Sequence, residues 1–144
     1  MRLNCRLEAA VASLRKVPAE GRAGGERRTM IFTLVNLLRN AKIDLSNEKR
    51  AQADVEQILT GAGIAFEREV RLTESDIVDF MVEGIGIELK LRGARKKEVY
   101  RQLCRYALHP RVESLLLASN LSMGLPPRIE GKDAYFVKLG EAWL

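Results

Sequence analysis

Two alternating runs, "IVDFMV" (Ile77 to Val82) and "IGIELK" (Ile85 to Lys90), flank Glu83-Gly84, and nothing else in the chain restricts its fold so tightly. Apolar alternation on both sides of a Glu-Gly pair predicts two antiparallel strands joined by a two-residue turn. With Val82 and Ile85 bounding the turn, Asp79 falls directly opposite Glu88, about 5 Å away at Cβ. Lys90, two residues beyond Glu88, points to the same side because strand side chains alternate. The opposite face would carry Val78, Phe80 and Val82 against Ile85, Ile87 and Leu89, an apolar set that anchors the register.

Two acids facing each other across a hairpin destabilise it. At that separation both stay ionised at neutral pH only if a cation intervenes; otherwise one carboxyl keeps its proton. A divalent metal such as Mg²⁺ resolves the conflict, with waters and a backbone carbonyl completing an oxygen shell. Lys90 beside it would orient or deprotonate an attacking water, or stabilise charge on a phosphoryl oxygen. The competing expectation is an ordinary wet sheet face on which Lys90 neutralises the acids.

The rest of the chain supplies a framework for this hairpin. At 144 residues and 47% hydrophobic content it is long enough for one domain with a substantial core. A helix beginning at Ser46 or Asn47 should run to about Thr60, stopped by "GAG" (Gly61 to Gly63). "IAFEREVRL" (Ile64 to Leu72) alternates as a strand. A helix over about Arg95 to Leu108 should end before Pro110. "SLLLAS" (Ser114 to Ser119) has the apolar content of a buried strand, and "AYFVKL" (Ala134 to Leu139) is expected as a last strand at an edge. The order over residues 46–144 is therefore α-β-β-β-α-β. Residues 1–45 form an N-terminal helical extension. It holds a short amphipathic helix over 6–17, a Pro- and Gly-containing linker over 18–26, and a more apolar helix over about 27–41.

Asp79 followed by Glu88-x-Lys90, spelled "VD…IELK", resembles the signature of the PD-(D/E)xK nuclease superfamily. Val78 stands where that family often has proline. "QLCRY" (Gln102 to Tyr106) is similar to the QxxxY motif that follows the ExK strand in its RecB-like branch, and small members of the superfamily include Holliday junction resolvases, repair and recombination nucleases and phage-encoded enzymes. The resemblance spans about residues 46–120. It implies a restriction-endonuclease-like αβββαβ core with a central mixed sheet, and Mg²⁺- or Mn²⁺-dependent hydrolysis of DNA by direct attack of water. It also implies that Asp79, Glu88 and the Leu89 carbonyl bind the metal, that Lys90 positions the water, and that Gln102 and Tyr106 brace the site. Many members add an acid from the first helix. Glu48 lies about 40° from the centre of that helix's apolar stripe and Glu56 about 120° from it, so Glu48 is the candidate.

Charge supports a polyanionic partner. The chain carries a net +5, and Lys90 to Arg105 concentrates seven basic residues against one acid. Arg95, Lys96 and Lys97 open a helix with the sign that its dipole disfavours, by ~0.3–1 kcal/mol each. Together with Arg92 and Arg101 they are expected to meet DNA phosphates. Paired cutting by a junction-resolving enzyme would call for a homodimer, with the apolar helix near Met30 to Leu38 as a possible contact. A non-catalytic nucleic-acid-binding or assembly module that keeps the fold is the alternative reading.

Other chemistries fit less well. His109 is the sole histidine, which excludes a His-rich zinc site and leaves serine or cysteine nucleophiles without a partner base. Cys5 and Cys104 match no zinc or redox spacing, so a cytoplasmic protein with reduced thiols is expected. The longest apolar run, Met30 to Leu38, is too short to cross a bilayer, so no membrane association is expected.

Overall fold

The computed structural model describes residues 22–144; the expected helix over 6–17 lies outside them. The described chain is α/β. It comprises α1 (Arg22–Asn40), α2 (Glu48–Gly61), β1 (Glu67–Arg71), β2 (Ile77–Val82), β3 (Ile85–Lys90), α3 (Lys96–Ala107), β4 (Ser114–Ser119), β5 (Arg128–Ile129), β6 (Lys132–Lys138) and a terminal 3-10 turn (Glu141–Trp143). The six strands form one mixed sheet in the order β1-β2-β3-β4-β6-β5. β1–β2, β2–β3 and β5–β6 pair antiparallel, whereas β3–β4 and β4–β6 pair parallel. Among the described residues no helix is long and apolar enough to cross a membrane.

Helices cover both faces. On one, Ile31, Leu34 and Leu38 of α1 and Ala51, Val55 and Leu59 of α2 pack on Phe80, Val82, Ile85, Ile87, Leu89 and Leu116. On the other, Val99, Leu103 and Tyr106 of α3 pack on Val78, Met81, Leu115 and Leu117. Each fully buried aliphatic side chain contributes about 1.5–3 kcal/mol over its exposed state. β4, buried at every position, sits between β3 and β6 with both faces covered, which is why it reads as an unbroken apolar run.

The hairpin turn forms as the spacing predicts. Glu83 and Gly84 both adopt positive φ (48° and 80°), the backbone of a type I′ turn. The resulting register pairs Val82 with Ile85, Met81 with Gly86 and Phe80 with Ile87. A Cβ on Gly84 would fall 2.3 Å from the Glu113 Oε2, and that carboxylate is held by Arg27 at 2.6 Å. Gly84→Ala is therefore expected to cost about 1–2 kcal/mol and lower the melting temperature by roughly 3–6 °C. An unchanged thermal melt would contradict this account of the turn.

Three expectations about the frame need correction. First, α1 starts at Arg22 and runs straight through Gly24-Gly25, where a linker was expected. Two interior glycines cost about 1 kcal/mol each, and the burial of Ile31, Leu34 and Leu38 outweighs that. Second, β6 is not an edge strand, because the two-residue β5 folds back on it through a second positive-φ pair, Glu130-Gly131. Third, Val78 does not share a face with Phe80 and Val82. It packs under α3, beside Met81, while Phe80 and Val82 face α1 and α2. On β1 the same reversal separates Arg68, which lies over the Phe80 ring, from Val70, which joins the α3 side. The pairing Arg68↔Phe80 and Val70↔Val78 keeps one offset throughout. Both strands thus turn over together at the Glu69/Asp79 step, where Glu69 has φ +53°.

Candidate active site

That reversal is what builds the site. The β2–β3 ladder stops at Phe80↔Ile87, and from there side chains replace the backbone bonds. The Leu89 N–H donates to Asp79 Oδ2 at 2.8 Å, and the Asp79 N–H donates to Glu88 Oε2 at 3.3 Å. Each acid thereby satisfies an amide of the opposite strand. Lys90 reaches back along its own strand to Glu88 Oε1 at 3.3 Å. Asp79, Glu88 and Lys90 are therefore brought together, but by these side-chain bonds beyond the end of the ladder and not by the directly opposed Asp79/Glu88 backbone pair that the hairpin spacing predicts. An extended residue directs its N–H and C=O to the same side, so the Leu89 carbonyl also faces the gap between the strands.

Burial dominates the electrostatics of the pair. Glu88 is only 3% exposed. Loss of solvent lifts its carboxyl to about 8, with the nearby Asp79 charge adding to the rise and Lys90 opposing it. Loss of solvent also lifts Asp79, to about 6; the Leu89 N–H favours its charged form, and the Glu48 charge disfavours it. Burial thus disfavours ionisation of both acids, and the charge on Asp79 disfavours it further at Glu88.

α3 braces the pair from below. Gln102 Nε2 donates to the Tyr106 hydroxyl at 2.7 Å, and that hydroxyl donates to the Ile77 carbonyl at 2.8 Å, two residues before Asp79. The tyrosine is fully buried, and burial followed by the Glu88 and Asp79 charges pushes its hydroxyl pKa further up. It therefore stays a neutral donor. Tyr106→Phe would leave the Ile77 carbonyl and the Gln102 amide without their partner, so a loss of about 1–3 kcal/mol is expected. Urea unfolding would read it as a lower midpoint at unchanged slope.

The first helix contributes differently from expectation. Glu48 is the first residue of α2, capped by Asn47, whose side chain accepts the Arg50 N–H. It is exposed and acts on Asp79 through its charge. Among the described residues no three His, Cys, Asp or Glu side chains gather as a metal-binding group. The α2 residue that touches the pair is Gln52, one turn further along the face of Glu48, which donates to Asp79 Oδ1 at 3.1 Å. Its carbonyl in turn accepts from Arg68 at 3.4 Å, and Arg68 pairs with Glu56 at 2.5 Å. Sequence reasoning missed Gln52 because an amide carries no charge; its i+4 spacing from Glu48 was the available signal.

The basic residues lie where the loop after β3 leads. Arg92, Arg95, Lys96, Lys97 and Arg101 are all exposed, and Arg95 approaches Glu98 at 3.6 Å. Asn120 fixes the loop by accepting the Arg92 N–H at 2.8 Å. Arg105 is committed elsewhere: its Nε bonds both oxygens of the buried Asp76, at 3.0 and 3.2 Å. Asp76 thus ties α3 to the turn before β2, and its carbonyl accepts the Leu72 N–H at 2.8 Å. Cys104, expected as a reduced thiol, is disulfide-bonded. Searches with this chain find no matching protein-family model, no matching curated protein and no matching solved structure.

Proposed function

We propose that this chain is a Mg²⁺- or Mn²⁺-dependent deoxyribonuclease of the PD-(D/E)xK type. The observation that carries the reading is the reciprocal clasp of Asp79 and Glu88 across the opened hairpin, with Lys90 bonded to Glu88. A buried acid pair whose ionisation is disfavoured by its surroundings is a poor arrangement for stability alone. As a donor set it suits a hard divalent cation, which prefers oxygen ligands. Asp79, Glu88 and the Leu89 carbonyl would hold the ion, with Glu48 adding charge from the start of α2. The ion would supply Lewis acidity, activating water and stabilising negative charge as the phosphodiester opens.

The protein's own groups do the rest. Lys90, only 19% exposed at its side chain, holds its Nζ beside the acids, where it can orient a water or meet a phosphoryl oxygen. Gln102 and Tyr106 fix the strand that carries Asp79. Arg92, Arg95, Lys96, Lys97 and Arg101 offer phosphate contacts on the side from which a backbone would approach. A homodimeric, junction-resolving enzyme of recombination or repair is the subtype we favour, because coordinated cutting of two strands needs two sites.

The test is a panel of end-labelled linear, single-stranded, flapped and four-way-junction DNAs incubated with Mn²⁺, wild-type protein and Lys90→Ala. Metal-dependent cleavage that vanishes in the variant supports the assignment. DNA binding without cleavage of any substrate would favour a non-catalytic binding module on the same fold.

A further inference from the structure

The structure points to a second nucleic-acid contact just beyond the carboxyl end of β6, and we propose that Trp143 is a stacking platform for an unpaired nucleobase. This rests on the nuclease reading above but concerns a different surface. Trp143 is the chain's single tryptophan, and it remains 57% exposed although a ring of that size is ordinarily buried. It is nevertheless fixed in place, because its indole N–H donates to the Ile43 carbonyl at 3.0 Å. Lys42 stands over the ring with Nζ 5.5 Å from the centroid. A rigid, wet indole carrying an ammonium joins the two elements of single-strand binding: an aromatic face for a base and a cation for its phosphate.

Its place in the fold aligns it with the acids. β3, β4 and β6 run parallel, and their register sets Lys90, Ser119 and Lys138 in one row at the carboxyl ends. Adjacent strands are about 4.8 Å apart, so Lys90 and Lys138 are separated by about 10 Å at the backbone. Gly140, with φ +99°, turns the chain after β6 into the short helix that carries Trp143. Ile43, its anchor, lies in the segment that leads to Asn47, Glu48 and Gln52 at the start of α2. The indole thus sits at the carboxyl end of the parallel strands, the side of an α/β sheet where ligands bind. Glu141 opens the same turn, so the positive charge there comes from Lys42. An occupant with both a flat ring and a negative charge suits this surface better than an apolar side chain.

Because one tryptophan supplies the signal, its emission reports on this surface alone. Unpaired dodecamers, one deoxy and one ribo, and a blunt DNA duplex would be titrated into the full chain with EDTA, following emission and the anisotropy of labelled oligonucleotide. Quenching by an unpaired strand but not by blunt duplex is expected, and Trp143→Ala should weaken single-strand binding about tenfold while Trp143→Phe retains most of it. Binding by anisotropy with unchanged emission would overturn the stacking role and leave the nuclease reading standing. Equal quenching by the duplex would also overturn it. No binding of any of these oligonucleotides would overturn the stacking role, while the nuclease reading stands or falls on the Mn²⁺ cleavage panel.

Discussion

Replacing Lys90 with alanine is expected to lower Mn²⁺-dependent cleavage at least a hundredfold while leaving the fold intact. The magnitude is that of deleting one positioned donor at the transition state. Lys90 is the informative position because its ammonium bonds a side chain, Glu88, and supports no backbone amide. Asp79 and Glu88 each accept a backbone N–H of the facing strand. Alanine at either would strand a half-buried donor and confuse lost chemistry with lost structure. Single-turnover rates under saturating DNA, compared at equal thermal stability, separate the two. Retention of more than a tenth of the wild-type rate would refute the role assigned to Lys90.

The second large effect is on stability. In EDTA, the melting temperature of the wild-type protein should fall as pH rises from about 5 to about 8.5. The ordinary values are 3.8 for Asp79 and 4.5 for Glu88, and in the folded chain they rise to about 6 and about 8. The native state therefore binds more protons than the unfolded chain between those limits. That stabilisation is complete below about pH 4 and is lost as pH climbs through the folded values. For Glu88 alone the effect is on the order of a few kcal/mol, or roughly 5 °C or more for a domain of this size. Glu88→Gln keeps the acceptor for the Asp79 N–H and removes the ionisation, so it should melt higher than wild type at pH 8 and show a flatter profile. Mn²⁺ added at pH 8 should restore much of the loss in wild type and little in Glu88→Gln. Parallel pH profiles for the two proteins would show that Glu88 titrates like a solvated acid.

Local chemistry decided how much of this was legible in the residues. The Glu83-Gly84 turn could be read because few residue pairs supply two successive positive φ values, and the register followed from it. The tie between Gln102 and Tyr106 followed from their i,i+4 spacing on α3. The reversal at Glu69 and Asp79 could not be read, because alternation assumes that a strand keeps one twist along its length. Its cause is cooperative: Arg68 gains the Phe80 ring while Val70 and Val78 gain the cluster under α3. The Gln52 contact from the first helix was not legible for a related reason. Rotation about α2 placed Glu48 and Gln52 on one face, and only the position of β2 could determine which of them reaches Asp79. α1 likewise outran its glycines because propensity is weak beside the burial of three large side chains.

The two-residue β5 has a consequence for how this sheet meets other chains. It closes one margin with a stub too brief to template a neighbour, and the opposite margin, β1, is kinked at Glu69 and studded with charge. Neither border offers a straight, unpaired row of amides to which a foreign strand could zip. Lateral growth into fibrils is discouraged at both ends, and self-association of the described domain is left to its helical flanks.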